Sequence, residues 1–456
     1  MANIYLHIEI KKREFEAKFF TGLKAALRGH RVLVGYLLPL LRNDLLAPGI
    51  FHDKALTPRP KKIASMKAAR AAGHHYTSID EEHGLLRESY ELFANLRYSA
   101  ETIEQASAVM FWGPHDFNYM KKAYPQFAHK FHMTGNPRAD LWRAEFAPVF
   151  DVQLPVKKPY VLFVSNLGSV FGKTPLDEFI SQMRNGYFKG PEDELEFWFY
   201  KWASAGALMG AEYVRAIRRL ALTYPETAIV VRPHPTERPE AWQRLIGNYK
   251  NVVIQHEGSI APVLRGATVM IHNGCTTSME ATKGGIPVLT YAPIDTHNEE
   301  HFFPNQLGGH VGSIEQLVTE VGKYTTGAAS RESVADDFKL LSQRLTDTGS
   351  ETAADTMLAV WESLAADAKL QSGSFWRGGR LPRFKSFESF YDVYRYARHL
   401  PYKTLGIEKL PSYPNKFEAV SQSEVDDLKA RFTRFDPAFS KVRVKRIGPR
   451  VVSFET

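Results

Sequence analysis

Two doubly wound α/β sheets in series are the fold this sequence predicts, and three observations predict it. Apolar runs of strand length alternate with amphipathic segments over residues 1–150 and again over 151–345. A Pro- and Lys-containing stretch, DVQLPVKKP at 151–159, interrupts the alternation between the two halves. The chain has 456 residues, of which 44% are hydrophobic, enough for ordinary buried cores. Lys and Arg number 58 against 50 Asp and Glu, a net charge of +8, which suits anionic partners such as nucleotides, phosphates or a lipid surface. The single cysteine, Cys275, excludes an internal disulfide framework and a multi-cysteine metal site. The opening MANIYLHIEIKKREF has no basic region ahead of an apolar run, so no secretory signal is expected. The most apolar stretch, residues 32–41, is broken by Gly35 and Pro39 and then meets Arg42, so no membrane span is expected. The location these features suggest is cytoplasmic, soluble or peripheral to a membrane.

The elements follow in order. IYLHIEI reads as a strand, residues 13–28 as a helix, RVLVGY as the next strand, then HHYTSI, a helix near 85–96, SAVMFW, a helix after Pro114, and KFHMTG. In the second half PYVLFVSN is a strand, and a long, partly helical insertion follows to residue 219. AIVVRP, NVVIQ, ATVMIH and PVLTY are the later strands, separated by helices at 241–247, 259–265 and 276–283. From about residue 351 the pattern is helical. It ends in basic aromatic runs, FWRGGRLPRFKSF, YDVYRYARHLPYK and KVRVKR, so 346–456 reads as a helical return segment and basic aromatic tail. A ligand is expected in a cleft between the two sheets.

VVRPHP at 230–235 places Arg232 and His234 just after a buried strand, where ligands bind in such sheets. Pro233 and Pro235 fix the backbone around an imidazole that can donate to a phosphate oxygen. IHNGCTTSMEATKGGIPVL at 271–289 is strand, turn and helix: Asn273 and Gly274 make the turn, and Thr276, Thr277 and Ser278 open the helix. Such a helix start, with free N–H groups and hydroxyls, suits phosphate, and Glu280 one turn on can reach ribose hydroxyls. Each alone reads as ordinary capping or a loop histidine; two in successive units of one sheet read as a site.

RPHP followed by HNGCTTSMEA resembles the nucleotide-binding domain of a GT-B glycosyltransferase. It is most similar to bacterial surface carbohydrate biosynthesis proteins, and also to bacterial sialyltransferases, polysialyltransferases and CDP-glycerol polyol-phosphate transferases. The resemblance covers most of residues 1–330. It implies that His234, Pro235, Thr276, Thr277 and Ser278 hold the phosphate of a cytidine nucleotide donor and Glu280 its ribose. Arg232, Asn273 and Gly168, the last in SNLGSVFGKT after a strand, complete the expected donor site.

The resemblance also implies an acceptor site and a base in the first half. SIDEEHG puts Asp80, Glu81 and Glu82 on one turn, and a carboxylate there can deprotonate an acceptor hydroxyl. The sialyltransferases carry an acidic-acidic-glycine motif, from which this sequence departs because His83 separates Glu82 from Gly84. In EIKKREFEAK, Arg13 can pair with a sugar carboxylate and Glu14 is a second candidate base. A solvated acidic loop and a charged helix face are the plain alternatives. TGNPRAD at 134–140 reads as a hinge and cleft wall.

Other motifs are weaker. Gly168 to Gly-Lys-Thr has three intervening residues, where an ATP-binding loop needs four. HNEEH at 297–301 fits a zinc-protease pattern, but His297, Asn298 and Glu299 read better as a cleft-lining loop. His74 and His75 lack a third ligand, and Cys275 lacks a base partner. The basic aromatic tail reads as packed on the first unit, with membrane contact added if the acceptor is lipid-linked.

These readings converge on a metal-independent glycosyltransferase of surface polysaccharide or glycoconjugate assembly. Its expected donor is a CMP-activated acidic sugar, sialic-acid-like or Kdo-like, and its acceptor a sugar hydroxyl on a glycan or glycolipid. No cofactor and no nucleic-acid partner are expected. The rivals are a UDP-sugar transferase or 2-epimerase on the same fold, a CDP-polyol phosphotransferase, and a non-catalytic nucleotide-sugar-binding scaffold.

Overall fold

A computed structural model describes residues 1–81, 90–150, 154, 156, 159–178, 180, 192–294, 303–327, 334–346, 348–368, 370, 373–379 and 417–456. Two units make up the chain: the first from Met1–His83, Glu91–Leu141 and Arg344–Thr456, the second mainly from Trp142–Gln343. Each is a doubly wound α/β sheet, as predicted.

The first unit begins with β1 (Asn3–His7), the helix Lys11–Leu27 and β2 (Arg31–Gly35). It continues through β3 (Ile50–Asp53), β4 (His75–Ile79), β5 (Ala108–Phe111) and β6 (Phe131–Met133). β1 pairs in parallel with both β2 and β3, so the winding reverses between β1 and β3. β3, IFHD, carries no strand signature in the sequence because half of it is polar. His52 and Asp53 are nonetheless buried: His52 Nδ1 meets Thr77 Oγ1 at 3.0 Å, and Asp53 holds Lys62 and Tyr76.

The end of the chain corrects the expected basic tail. Arg443–Gly448 (β13) and Val451–Glu455 (β14) form an antiparallel hairpin, and β14 pairs antiparallel with β2. KVRVKR alternates valine with basic residues, a period of two that suits an edge strand whose outer face meets water. Gly35 is obligatory at this joint: its φ is +151°, and a Cβ there would lie 2.0 Å from the Arg450 carbonyl oxygen. Phe454 meets Phe19 edge-on at 4.8 Å, and Phe432, from the helix Gln422–Phe435, stacks on Phe19 and Phe20. The helix Ala353–Asp367 also returns to this sheet, with Trp361 Nε1 donating to Thr77 Oγ1 at 3.1 Å. Most of the aromatic tail, residues 380–416, lies outside the described residues.

The second unit holds β7 (Tyr160–Val164), β8 (Ala228–Arg232), β9 (Val252–Ile254), β10 (Ala267–His272), β11 (Val288–Tyr291) and β12 (Gly309–Val311). All are parallel, in the order β12-β11-β10-β7-β8-β9. Both faces are covered, which explains the unbroken apolar runs that betray these strands in the sequence. Val161 and Phe163 pack beneath the helix Glu192–Thr223, against Tyr213 and Ile217, while Tyr160 and Leu162 face Val263 and Ala281. No helix among the described residues is long and apolar enough to cross a membrane.

Phe454→Ala is expected to cost about 3–5 kcal/mol, because the ring is fully buried among other aromatics. Urea unfolding checks this, and a loss below about 1 kcal/mol would show that the hairpin's aromatic contact contributes little.

Candidate functional site

β7 is the first strand of the second sheet, with β8 on one side and β10 on the other. The loops leaving the carboxyl ends of these three neighbours therefore converge at the point where the winding reverses, the usual ligand crevice of such sheets. Two contacts tie them together. Asn166 Nδ2 donates to the Gly274 carbonyl at 3.3 Å, and Gly168 sits so close to Thr236 that a Cβ would lie 2.7 Å from its hydroxyl. The Gly-Lys-Thr stretch also docks on the β8 loop, with Lys173 N–H donating to the Thr236 carbonyl at 3.2 Å.

His234 is half-buried in the β8 loop. Its Nδ1 lies 2.8 Å from Thr236 Oγ1 and accepts from the Thr236 N–H at 3.3 Å. Burial, with the neighbouring His256, lowers its pKa, so at neutral pH the ring is uncharged. The hydrogen-bond pattern assigns the remaining proton to Nε2, which makes that nitrogen a donor. Pro235 beside it is exposed.

Arg232 does a different job from the one expected. Its Nη1 donates to the carbonyls of Gln255 and Glu257 at 3.1 and 2.7 Å, and Nη2 to that of Gly258 at 2.6 Å. The guanidinium is buried and fixes the loop after β9.

The turn after β10 is also more committed than its sequence suggests. Asn273 Nδ2 donates to the Tyr291 carbonyl at 2.9 Å. Gly274 adopts φ +67° and donates its N–H to Asn305 Oδ1 at 2.8 Å; the Cys275 N–H donates to His272 Nδ1 at 3.3 Å. Of the three hydroxyl residues, only Thr276 is exposed. Thr277 accepts from Cys275 Sγ at 3.1 Å, and Ser278 Oγ donates to the Pro304 carbonyl at 3.0 Å. The helix Thr277–Lys283 is short; the Thr277 backbone N–H turns back onto Cys275 Sγ, and among the described residues the Thr276 N–H meets no backbone acceptor. Glu280 is buried one turn in.

Three residues behind these loops escaped the sequence reading. Glu237 is fully buried and accepts from Ser165 Oγ (2.9 Å), Leu167 N–H (2.7 Å) and Trp242 Nε1 (2.8 Å), so one carboxylate fastens the β7 and β8 loops. Burial raises its pKa. His272 is fully buried, its Nε2 3.1 Å from Thr290 Oγ1, and burial lowers its pKa to about 3. Asn305 fastens Gly274 from a loop with no sequence periodicity. The only available signal was placement: Glu237 falls three residues after His234, and His272 ends a strand.

In the first unit, Glu14 and Glu81 are brought together by Lys18, whose Nζ lies 3.1 Å from one carboxylate and 3.2 Å from the other. Glu14 also holds Arg13 at 3.0 Å and accepts from the Glu9 and Ile10 N–H groups. Its burial opposes ionisation, yet Lys18 and Arg13 together hold its pKa below the usual carboxylate range; that makes it a weak base. Arg13, expected to meet a sugar carboxylate, is turned onto Glu14. Asp80 points elsewhere, both of its oxygens at 2.8 Å from the Arg97 guanidinium. Asn136 Nδ2 donates to Glu81 at 3.2 Å, and Asp140 caps the helix Ala353–Asp367 through the Ala353 and Ala354 N–H groups. Glu82, His297, Asn298 and Glu299 lie outside the described residues.

No protein-family model and no curated protein matches this chain. Among solved structures, it is similar to the wall teichoic acid polymerase TagF (12% identity, 81% of this chain and 89% of that one, TM-score 0.49). It is also similar to UDP-GlcNAc 2-epimerase from Neisseria meningitidis bound to UDP-GlcNAc (12%, 80% and 99%, TM-score 0.43). A third likeness is to the S. aureus MnaA–UDP structure (12%, 82% and 98%, TM-score 0.44). No likeness of this strength assigns chemistry to the chain.

Two outcomes follow from the buried groups. Glu237→Ala strands three donors and is expected to cost about 3 kcal/mol by urea unfolding; a loss under about 1 kcal/mol would show the loops are held otherwise. The folded pKa of His272 lies below its ordinary 6.5, so its contribution is complete above about pH 6.5 and is lost as pH falls towards about 3. His272→Gln should flatten that acid-side fall by about one proton, or ~1.4 kcal/mol per pH unit. Urea titrations at stepped pH measure it, and an unchanged slope would refute it.

Proposed function

We propose that this chain is a nucleotide-sugar-dependent glycosyltransferase of surface glycan assembly, and that its donor is a CMP-activated acidic sugar. The observation that carries the reading is the placement of His234 Nε2 and the Thr276 N–H just beyond the carboxyl ends of β8 and β10, the two strands that flank β7. They are fixed there by Glu237, His272 and Asn305. Neutral donors held in place before the ligand arrives suit a phosphate whose charge grows during reaction. As the bond from the anomeric carbon to the phosphate oxygen breaks, its electron pair leaves with the nucleotide, and these donors meet the developing charge. The acceptor hydroxyl oxygen forms the new bond and gives its proton to a carboxylate. Glu14, Asp80 and Glu81 are each held by arginine or lysine partners, which leaves Glu82 as the proposed base. Arg232 drops out of the phosphate-binding set and no metal is required. Glu280 is assigned to the ribose hydroxyls.

A thermal-shift panel with CMP, CDP, UDP, GDP and ATP, with and without magnesium, tests the reading. Selective, magnesium-independent stabilisation by CMP is expected, and His234→Ala should weaken it about tenfold or more. Preference for UDP would move the assignment to a UDP-sugar transferase or epimerase. CDP preference with cleavage between the phosphates would make it a polyol phosphotransferase. Binding without turnover would leave a scaffold, and silence with every nucleotide would sink the donor site.

A further inference from the structure

The helix Glu192–Thr223 covers one face of the second sheet, and its described outward side chains are exposed. At 100° per residue, positions 197, 200, 204, 207, 208 and 211 fall in one stripe, and the described side chains there are all exposed: Phe197, Tyr200, Ser204, Ala207, Leu208 and Ala211. Phe197 is 72% exposed and Leu208 59%, values unusual for large apolar side chains on a folded helix. The same stripe continues through Arg215, which also pairs with Glu212, and Arg218, whose Nη2 donates to the Leu245 carbonyl at 2.7 Å while both side chains stay exposed. The helix begins with the acidic run EDELE at 192–196 and carries three arginines at 215, 218 and 219 near its end.

This order of acidic start, aromatic and small-residue middle, and basic end is self-complementary when reversed. We propose that the stripe pairs antiparallel with the same helix of a second copy of this chain, about a two-fold axis passing between residues 207 and 208. In that register Phe197 is level with Arg218 of the second copy, and Tyr200 with Arg215, which offers cation–π contacts. Ser204 comes level with Ala211, so small residues occupy the centre and permit close approach. Each acidic start also falls beside the other copy's arginines, and repeating the contact by symmetry closes it after two chains. An anionic bilayer fits less well, because the acidic run opens the very helix that would rest on it.

The stripe from 197 to 218 is about 30 Å long and a helix about 10 Å wide. The contact therefore lies below the ~1,200–2,000 Å² typical of stable pairs, so a concentration-dependent dimer is expected.

Sedimentation velocity of the full chain from about 1 to 100 μM reads the association directly. Dimer should appear within that range, and Leu208→Arg, which sets two cations at the axis, should weaken it at least tenfold. Ala207→Cys should form an intermolecular disulfide at least tenfold faster than Glu226→Cys, an exposed site off the stripe. Circular dichroism and melting of each variant separate loss of pairing from loss of fold. A wild-type chain monomeric throughout, an unaffected Leu208→Arg dimer, or equal cross-linking at both cysteines would each overturn the proposal. So would a monomer captured through Leu208 on phosphatidylglycerol vesicles.

Discussion

The candidate donor site depends on one buried carboxylate. Glu237 gathers a hydroxyl and a backbone N–H from the loop after β7 and an indole N–H from the helix beyond the β8 loop. Loops carry their own backbone donors, and without a fixed acceptor those donors would turn to water. Because Glu237 lies under the loops rather than among them, it positions His234 without competing for the ligand. His272 and Asn305 do the same for the turn after β10, each accepting one backbone N–H.

The first unit solves a different problem with the same kind of residue. Its carboxylates are neutralised where they stand: Glu14 and Glu81 share Lys18, Asp80 holds Arg97, and Glu9 pairs with Lys54. Burying so many charges is costly unless each meets a partner and further hydrogen bonds, and the helix-start N–H groups on Glu14 supply some of these. Lys18 and Arg13 hold the Glu14 carboxyl below the usual carboxylate range, so acidity of sequence alone is a poor guide to basicity.

Strands such as YVLFV and ATVMI were legible because both of their faces are buried and their composition says so. β3 was not, because His52 and Asp53 look like loop residues until Thr77, Lys62 and Tyr76 are known to surround them. β13 read as a basic tail because its charge outweighed its alternation. At the site, His234 and Thr276 could be placed from strand-then-turn spacing. The fates of Arg232, Thr277 and Ser278 could not: their partners come from residues 255–258, Cys275 and Pro304. Residue type and spacing reveal which groups are polar near a strand end; only tertiary pairing reveals which of them are already satisfied.

The strand order of the first unit has a consequence for how the chain is made. β2 emerges early, but its neighbour β14 lies about 400 residues later. At ribosomal rates of about 5–20 residues per second, the apolar edge of Val32, Leu33 and Val34 waits tens of seconds for its mate. The whole second unit emerges in that interval and has its complete sheet in hand first. An unpaired apolar edge is a template for strangers, so the nascent chain is most in need of a chaperone while its second half is being synthesised.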